Sequence, residues 1–184
     1  MAALEAEGMT PQDHLLDIGC GALRLGHLAV PYLDPGHYWG TDASLALMRH
    51  GRAVELTDHD RLPLSHLIED AAFAYPGIPD AITLAIAFGV FTHLPAPILS
   101  QALTNLRQFP SLRAFLFTVF LAPNGAAATR QPDGVVTHPD RPPYHVTEAS
   151  VETAIRAAGL IPSRKPALVP RGQVLWTASP PREP

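Results

Sequence analysis

The segment Leu15-Leu16-Asp17-Ile18-Gly19-Cys20-Gly21-Ala22-Leu23-Arg24-Leu25-Gly26 does most to limit what this chain can become. An apolar run passes into Gly-x-Gly and then directly into a stretch of helical character, which predicts a strand, a tight turn and a helix. At such a junction backbone N–H groups and the positive helix end face the carboxyl edge of a sheet. Glycine at 19 and 21 lets a ligand approach the main chain with no Cβ in the way. The expected feature is a nucleotide-type cradle in an α/β fold. Its spacing, Gly19, Gly21 and Gly26, departs from the G-x-G-x-x-G dinucleotide fingerprint, and no Gly-Lys-Ser/Thr is present for Walker-type phosphate binding.

Short apolar runs alternate with helix-like segments along most of the chain, the pattern of βαβ units around a largely parallel sheet. Strands are expected at His14–Ile18, His37–Thr41, His66–Glu69, Ala81–Ala87, Arg113–Phe120, more weakly at Ala167–Val169, and at Gln173–Ala178. Ala81–Ala87 and Arg113–Phe120 are near-continuous apolar runs, as suits central strands covered on both faces. Helices are expected at Ala22–Val30, ending before Pro31, at Leu45–Gly51 with Ser44 as N-cap, at Pro97–Arg107, and at Glu148–Ala158, with Thr147 as cap and Gly159 closing it. The stretch 122–143 holds five prolines and no periodicity, so it reads as a long loop: a lid, a binding loop or simply a mobile segment. Residues 180–184 read as a tail. With 184 residues, 47% of them apolar, the chain is expected to form one domain over 1–184 that needs no disulfide or metal to hold its core.

The chain resembles the class I S-adenosylmethionine (SAM) dependent methyltransferases, whose first motif has an acidic residue just ahead of Gly-x-Gly-x-Gly. Here Asp17-Ile18-Gly19-Cys20-Gly21 matches, and Leu23 stands where that pattern has its third glycine. Tyr38-Trp39-Gly40-Thr41-Asp42 falls at the end of the second strand, with Asp42 lying 25 residues after Asp17. Glu69-Asp70-Ala71-Ala72-Phe73, Ala85-Ile86-Ala87-Phe88-Gly89-Val90-Phe91-Thr92-His93-Leu94-Pro95 and Val169-Pro170-Arg171-Gly172-Gln173 resemble later elements, so the likeness runs over about residues 14 to 178. It implies a Rossmann-like sheet of seven mostly parallel strands with helices on both faces and the last strand antiparallel.

The resemblance also implies SAM as cofactor, S-adenosylhomocysteine (SAH) as product, and cofactor contacts from Asp17, Gly19, Cys20, Gly21, Arg24, Asp42, Ala43, Asp70, Ala71, Ala87 and Phe88. Asp42 is expected to accept from the ribose hydroxyls and Asp70 from the adenine amino group, although Asp42 can also serve as an N-cap and Glu69 can replace Asp70. Asp17 either contacts the methionine part of SAM or satisfies amides of the glycine turn. Arg24 either pairs with the SAM carboxylate from the first helical turn or is a solvated helix residue. For the base that takes a proton from the acceptor, His93 after the fourth strand is one candidate and Tyr144 and His145 are others. His93 can instead cap the helix near Pro97. Arg171 is the expected acceptor anchor.

Several chemistries are excluded by what is missing. There is no Asn/Asp-Pro-Pro-aromatic run after the fourth strand, no cysteine outside the glycine turn, and one lysine, Lys165, in the whole chain. No carboxylate falls between Ala81 and Asn105, and HExxH and CxxC are absent, so no metal is expected. What survives is methyl transfer to an oxygen or nitrogen of a small-molecule acceptor. The alternative is a noncatalytic SAM-binding interaction module. Net charge is −8 over residues 1–92 and +4 over 93–184. Either the halves attract or lie on opposite sides of one sheet, or the basic half greets an acidic substrate. No dense basic face points to nucleic acid. The uncharged stretch Ala81–Leu106 is broken by Gly89, His93, Pro95 and Pro97, so no membrane is expected, and with no basic n-region the chain reads as cytoplasmic. The single Cys20 agrees with a reducing compartment. Only about a dozen residues precede the first strand, so closure of the site is expected from the 122–143 loop or from a partner subunit, as in a homodimer.

Overall fold

A computed structural model of the chain describes residues 1–166 and 169–181. These fall into two compact units, Met1–Ile86 with Gln108–Ala114, and Ala87–Arg107 with Phe115–Pro184.

The first unit begins with a short helix, α1 (Ala2–Ala6), whose Leu4 is fully buried. Strand β1 (Leu15–Ile18) is buried at every position and leads through a turn to helix α2 (Gly26–Tyr32). Strand β2 (Tyr38–Asp42) and helix α3 (Leu45–Glu55) follow, then β3 (Leu67–Glu69) and β4 (Leu84–Ala87). The order is β3-β2-β1-β4, all parallel, with Asp17 opposite Gly40 on one side and Ile86 on the other. A strand flanked on both sides and buried on both faces must be apolar throughout; β1 obeys this except at Asp17, and a carboxylate placed against that rule marks a site. Ser44 caps α3, its hydroxyl accepting from Leu47 N–H at 3.2 Å. Gly51 lets α3 press against the turn after β1, since a Cβ there would lie 2.4 Å from the Ala22 carbonyl carbon. Arg113 ties the N-terminal segment down by donating to Glu7 and Gly8 carbonyls and pairing with Asp13 at 2.7 Å.

The second unit holds helix α4 (Ala96–Asn105), strand β5 (Ala114–Leu121) from Phe115 onward, the two-residue strands β6 (Thr129–Arg130), β7 (Val136–Thr137) and β8 (His145–Val146), helix α5 (Glu148–Ala157), and strands β9 (Ile161–Arg164) and β10 (Val174–Ser179). Here β10 lies between β5 and β9, antiparallel to both, while β8 adds a short parallel strand to β5. Phe91 meets Phe115 and Phe117 edge-on at 6.4 and 5.8 Å. Thr147 caps α5, accepting from Ser150 N–H at 3.1 Å. The chain is therefore mixed α/β, with mostly parallel strands and an antiparallel last strand, as the sequence implies.

Three expectations are corrected, and a fourth lies in part outside the described residues. Helix α2 starts at Gly26 and contains Pro31, where Ala22–Val30 ending before that proline was expected. Gly21 and Leu23 both have positive φ, so the chain is still turning through Arg24, and the helix closes past Pro31 through Leu33 N–H on Ala29 O. The expected strand Ala81–Ala87 begins only at Leu84, after a turn. The expected strand at Ala167–Val169 falls in part on residues 167–168, outside the described residues; among the described residues Ile161–Arg164 and β5 pair with β10. The 122–143 loop is not without structure: β6 and β7 pair in a hairpin, and His138 bridges to Tyr144.

Candidate functional site

The turn between β1 and α2 carries three left-handed residues, Gly19 (φ 68°), Gly21 (φ 54°) and Leu23 (φ 60°). Leu23 keeps the backbone of a third glycine at its position, at a strain held by a side chain that is fully buried. The amides of this turn are not offered outward as expected. Gly19 and Cys20 N–H both donate to Thr41 O, at 2.7 and 3.0 Å, and Gly21 N–H donates to Asp42 Oδ2 at 3.0 Å. With the helix delayed to Gly26, the turn contributes close approach rather than a ring of donors: a Cβ on Gly21 would meet nothing nearer than Leu47 Cδ2 at 4.0 Å.

Asp42 ends β2, half-buried, and its other oxygen accepts from Ser44 N–H at 3.0 Å. Each carboxylate oxygen has two acceptor positions, so the two amides hold Asp42 still and leave room for two hydroxyl donors. Asp70 stands beside it, its N–H on Asp42 O at 2.9 Å. Its own carboxylate accepts from Ala72 and Tyr75 N–H at 2.9 and 2.8 Å. Ala43, Ala71 and Glu69 are exposed. Arg24 is also exposed, on the turn ahead of α2 rather than in a first helical turn.

Beneath the turn lies a closed cluster. Asp17 is buried and accepts from the Tyr38 hydroxyl at 2.5 Å. Burial lifts its carboxyl from the ordinary 3.8 to about 7; the Tyr38 bond and the α-ammonium of Met1 pull it down, and Asp42 pushes it up. Burial also drives the Tyr38 hydroxyl well above its usual range. The Cys20 thiol, buried beside Asp17 and Asp42, is pushed up as well, which makes it a space-filling group and not a nucleophile. The sequence motif alone assigns Tyr38 no role. The signal for it is the register: with Asp17 opposite Gly40, Tyr38 is the diagonal neighbour on the same face. Gly40 leaves the space, since a Cβ there would sit 2.8 Å from Cys20 Sγ and 3.3 Å from Tyr38 Cε1.

In the second unit Ala87 is buried and Phe88 is 47% exposed. Gly89 N–H donates to Thr118 Oγ1 at 2.8 Å, and Thr92 Oγ1 donates to Gly89 O at 2.9 Å. His93 is exposed, and the helix after it is capped by Pro95 without a side-chain bond, so His93 is not a cap. Tyr144 N–H donates to Thr92 O at 2.7 Å, joining these two candidate segments. His145 is buried, with Nδ1 2.9 Å from Thr137 Oγ1 and Nε2 3.2 Å from Ala126 O. Neither nitrogen can take a proton from an acceptor without breaking one of these bonds. Arg171 is exposed at φ 63°, and the Gly172 after it lies so close to Pro132 that a Cβ would be 2.5 Å from Cδ.

No family model matches the chain, and no curated protein matches it by sequence. Solved structures do. The chain is similar to magnesium protoporphyrin IX methyltransferase from Synechocystis PCC 6803 with bound SAM, at 17% identity and a TM-score of 0.68 over 98% of this chain and 76% of that one. It is similar to an S-adenosylmethionine dependent methyltransferase from Mesorhizobium loti, at 15% identity and a TM-score of 0.65 over 97% and 96%. A third is 1,6-didemethyltoxoflavin-N1-methyltransferase from Burkholderia thailandensis with SAH, at 16% and 0.68 over 97% and 75%. The fold is that of the class I SAM-dependent methyltransferases.

Proposed function

We propose that the chain is a SAM-dependent methyltransferase that places a methyl group on an oxygen or nitrogen of a small-molecule acceptor. The observation that carries this reading is Asp42, a carboxylate fixed by two amides at the end of β2 with acceptor capacity to spare beside an open glycine turn. That is the arrangement a ribose diol requires. Structural neighbours solved with SAM or SAH support the cofactor, and two that are named for porphyrin and toxoflavin substrates support the acceptor class. Among the described residues no helix is long and apolar enough to cross a membrane. A free buried thiol suits a reducing, cytoplasmic setting.

When bound, SAM supplies a methyl group on a sulfonium, so that an acceptor lone pair forms the new bond as the carbon–sulfur pair returns to sulfur. The residues here do the rest. Asp42 holds the ribose, with Ala43 and Ala71 adding no bulk beside the carboxylates at 42 and 70. Asp70 accepts from the adenine amine. His93, exposed, takes the acceptor's proton, with Tyr144 as the second group, and Arg171 holds an acidic group of the acceptor.

Calorimetry should show SAM and SAH binding, and mass spectrometry against a panel of hydroxylated and amino acceptors should show the gain of one methyl. Binding of NAD with no binding of SAM overturns the reading. Once an acceptor is turned over, His93→Ala should lower kcat about 100-fold with SAM affinity unchanged; an unaltered kcat removes His93 as the base.

A further inference from the structure

Three buried side chains, Gln131, Thr137 and His145, close the base of the β6–β7 hairpin against the end of β5 and the segment 122–128. They make five hydrogen bonds, three to the carbonyls of Leu121, Thr129 and Ala126 and two among themselves. A carbonyl only accepts, so the directions are set from the outside inwards. Leu121 O, at 3.2 Å, turns the Gln131 NH2 towards itself, and the second hydrogen of that group goes to Thr137 Oγ1 at 2.9 Å. The single hydroxyl hydrogen of Thr137 goes to Thr129 O at 3.2 Å. What is left on Thr137 Oγ1 is a lone pair facing His145 Nδ1 at 2.9 Å, which calls for an N–H there. Ala126 O, 3.2 Å from Nε2, calls for another.

Each of the five bonds needs a hydrogen, of which Gln131 brings two and Thr137 one. A neutral imidazole brings one more and leaves Ala126 O or Thr129 O without a donor; an imidazolium brings two and completes the network. Enclosing a cation costs free energy unless its N–H groups are bonded, and here both are. Phe120 and Leu121, which β5 sets beside His145 and Val146, carry no charge. On the hairpin Arg130 donates to Gly134 O and Asp133 accepts from Val135 N–H. His138, with Nδ1 3.3 Å from Ala127 O, and Tyr144 flank the ring along the chain, and Glu148 of α5 is held by Arg164. Among the described residues no carboxylate forms an ion pair with His145, so the network itself is what favours the second ring proton.

We propose that His145 is a proton-operated latch on the segment 122–146: as an imidazolium it holds the hairpin and the preceding turn with the full set of bonds, and when it releases one ring proton to solvent one of those bonds opens and the segment loosens. The closed form carries the extra proton, so closure strengthens as pH falls. The latch reaches the candidate site from two sides. Tyr144, next to His145, donates its N–H to Thr92 O at 2.7 Å, and Pro132, next to Gln131, lies against Gly172 beside Arg171. His145 is therefore a positioning residue for these groups, whatever ligand the chain binds.

The test follows the ring nitrogens of the full chain, made with isotope-labelled histidine, by NMR from about pH 5 to about pH 8. Hydrogen-exchange protection of the Gln131, Gly134 and His145 amides, which bond to Val135, Gln131 and His138 carbonyls, is measured over the same range against intrinsic rates. Both ring nitrogens of His145 should carry hydrogen at the acid end and one at the alkaline end, with protection falling about fivefold as the proton leaves, the worth of one hydrogen bond. His145→Leu should make protection low and independent of pH. Thr137→Val, which takes the acceptor from Nδ1, should move the ring titration to lower pH. A ring that stays neutral throughout, protection that does not track its charge, or a pH dependence that survives His145→Leu overturns the proposal. If His145→Leu does not fold, Thr137→Val decides, and an unmoved titration overturns it.

Discussion

The glycine turn of the first unit and the hairpin segment of the second both fix polar side chains, and they do so in opposite ways. Asp42 and Asp70 are held by backbone amides close in the chain or on the adjoining turn, two bonds each, and a carboxylate has about four acceptor positions. Gln131, Thr137 and His145 instead hold one another: Gln131 Nε2 donates to Thr137 Oγ1 at 2.9 Å and to Leu121 O at 3.2 Å, and His145 spans Thr137 and Ala126. The first arrangement is rigid yet open to a ligand. The second is closed, and it organises a loop.

The comparison can be broken most directly at Asp17. Burial raises its carboxyl to about 7, so the folded chain keeps a proton that the unfolded chain, at 3.8, gives up. Native stability without ligand therefore falls as pH rises from about 4 to about 7, and levels off above. Asp17→Asn should add roughly 4 kcal/mol at pH 8 and less than about 1 kcal/mol at pH 4, read by urea denaturation. An equal gain at both pH values refutes the buried-charge account.

Gly51→Ala tests whether α3 sets the turn. In a helix this change ordinarily helps by up to ~1 kcal/mol, but here the new carbon would sit 2.4 Å from the Ala22 main chain. A net loss of about 3 kcal/mol in thermal denaturation is expected, and any gain contradicts the close packing. Asp42→Ala should weaken SAM binding about 100-fold by calorimetry, the worth of two charge-assisted hydrogen bonds; unchanged binding removes the ribose assignment. The smallest effect is expected in the closed network. His145→Leu should cost roughly 1 kcal/mol of stability by taking the ring nitrogen away from Ala126 O and leaving Thr137 Oγ1 with only Gln131 and Thr129, with SAM affinity unmoved. Weakened SAM binding would mean the segment is more than a scaffold.

The elements most legible in the sequence were those with strong local signals. Strands β1, β2, β5 and β10 came from apolar runs, and α3 and α5 from the caps Ser44 and Thr147, each found within a few residues of its place. The hairpin was invisible because two-residue strands have no period to detect, and its glycines and prolines read as loop. The start of α2 was misplaced because Leu23, an ordinary helix former, is held left-handed by the packing around it. Asp42 was legible as the residue that ends the second strand. The partner of Asp17 was not, because Tyr38 reaches it only through parallel register and the space over Gly40.

The sequence by itself determined the α/β class, the glycine turn and the acidic residues that end its strands, because spacing and apolar pattern are local properties. The tertiary structure alone decided which of those groups are available. It occupied both nitrogens of His145, left His93 exposed, bound the turn's amides to Thr41 and Asp42, and enclosed Asp17 against Tyr38. Hydrogen-bond partners and burial are set by residues distant in the chain, and they decide whether a polar side chain serves a ligand or the fold.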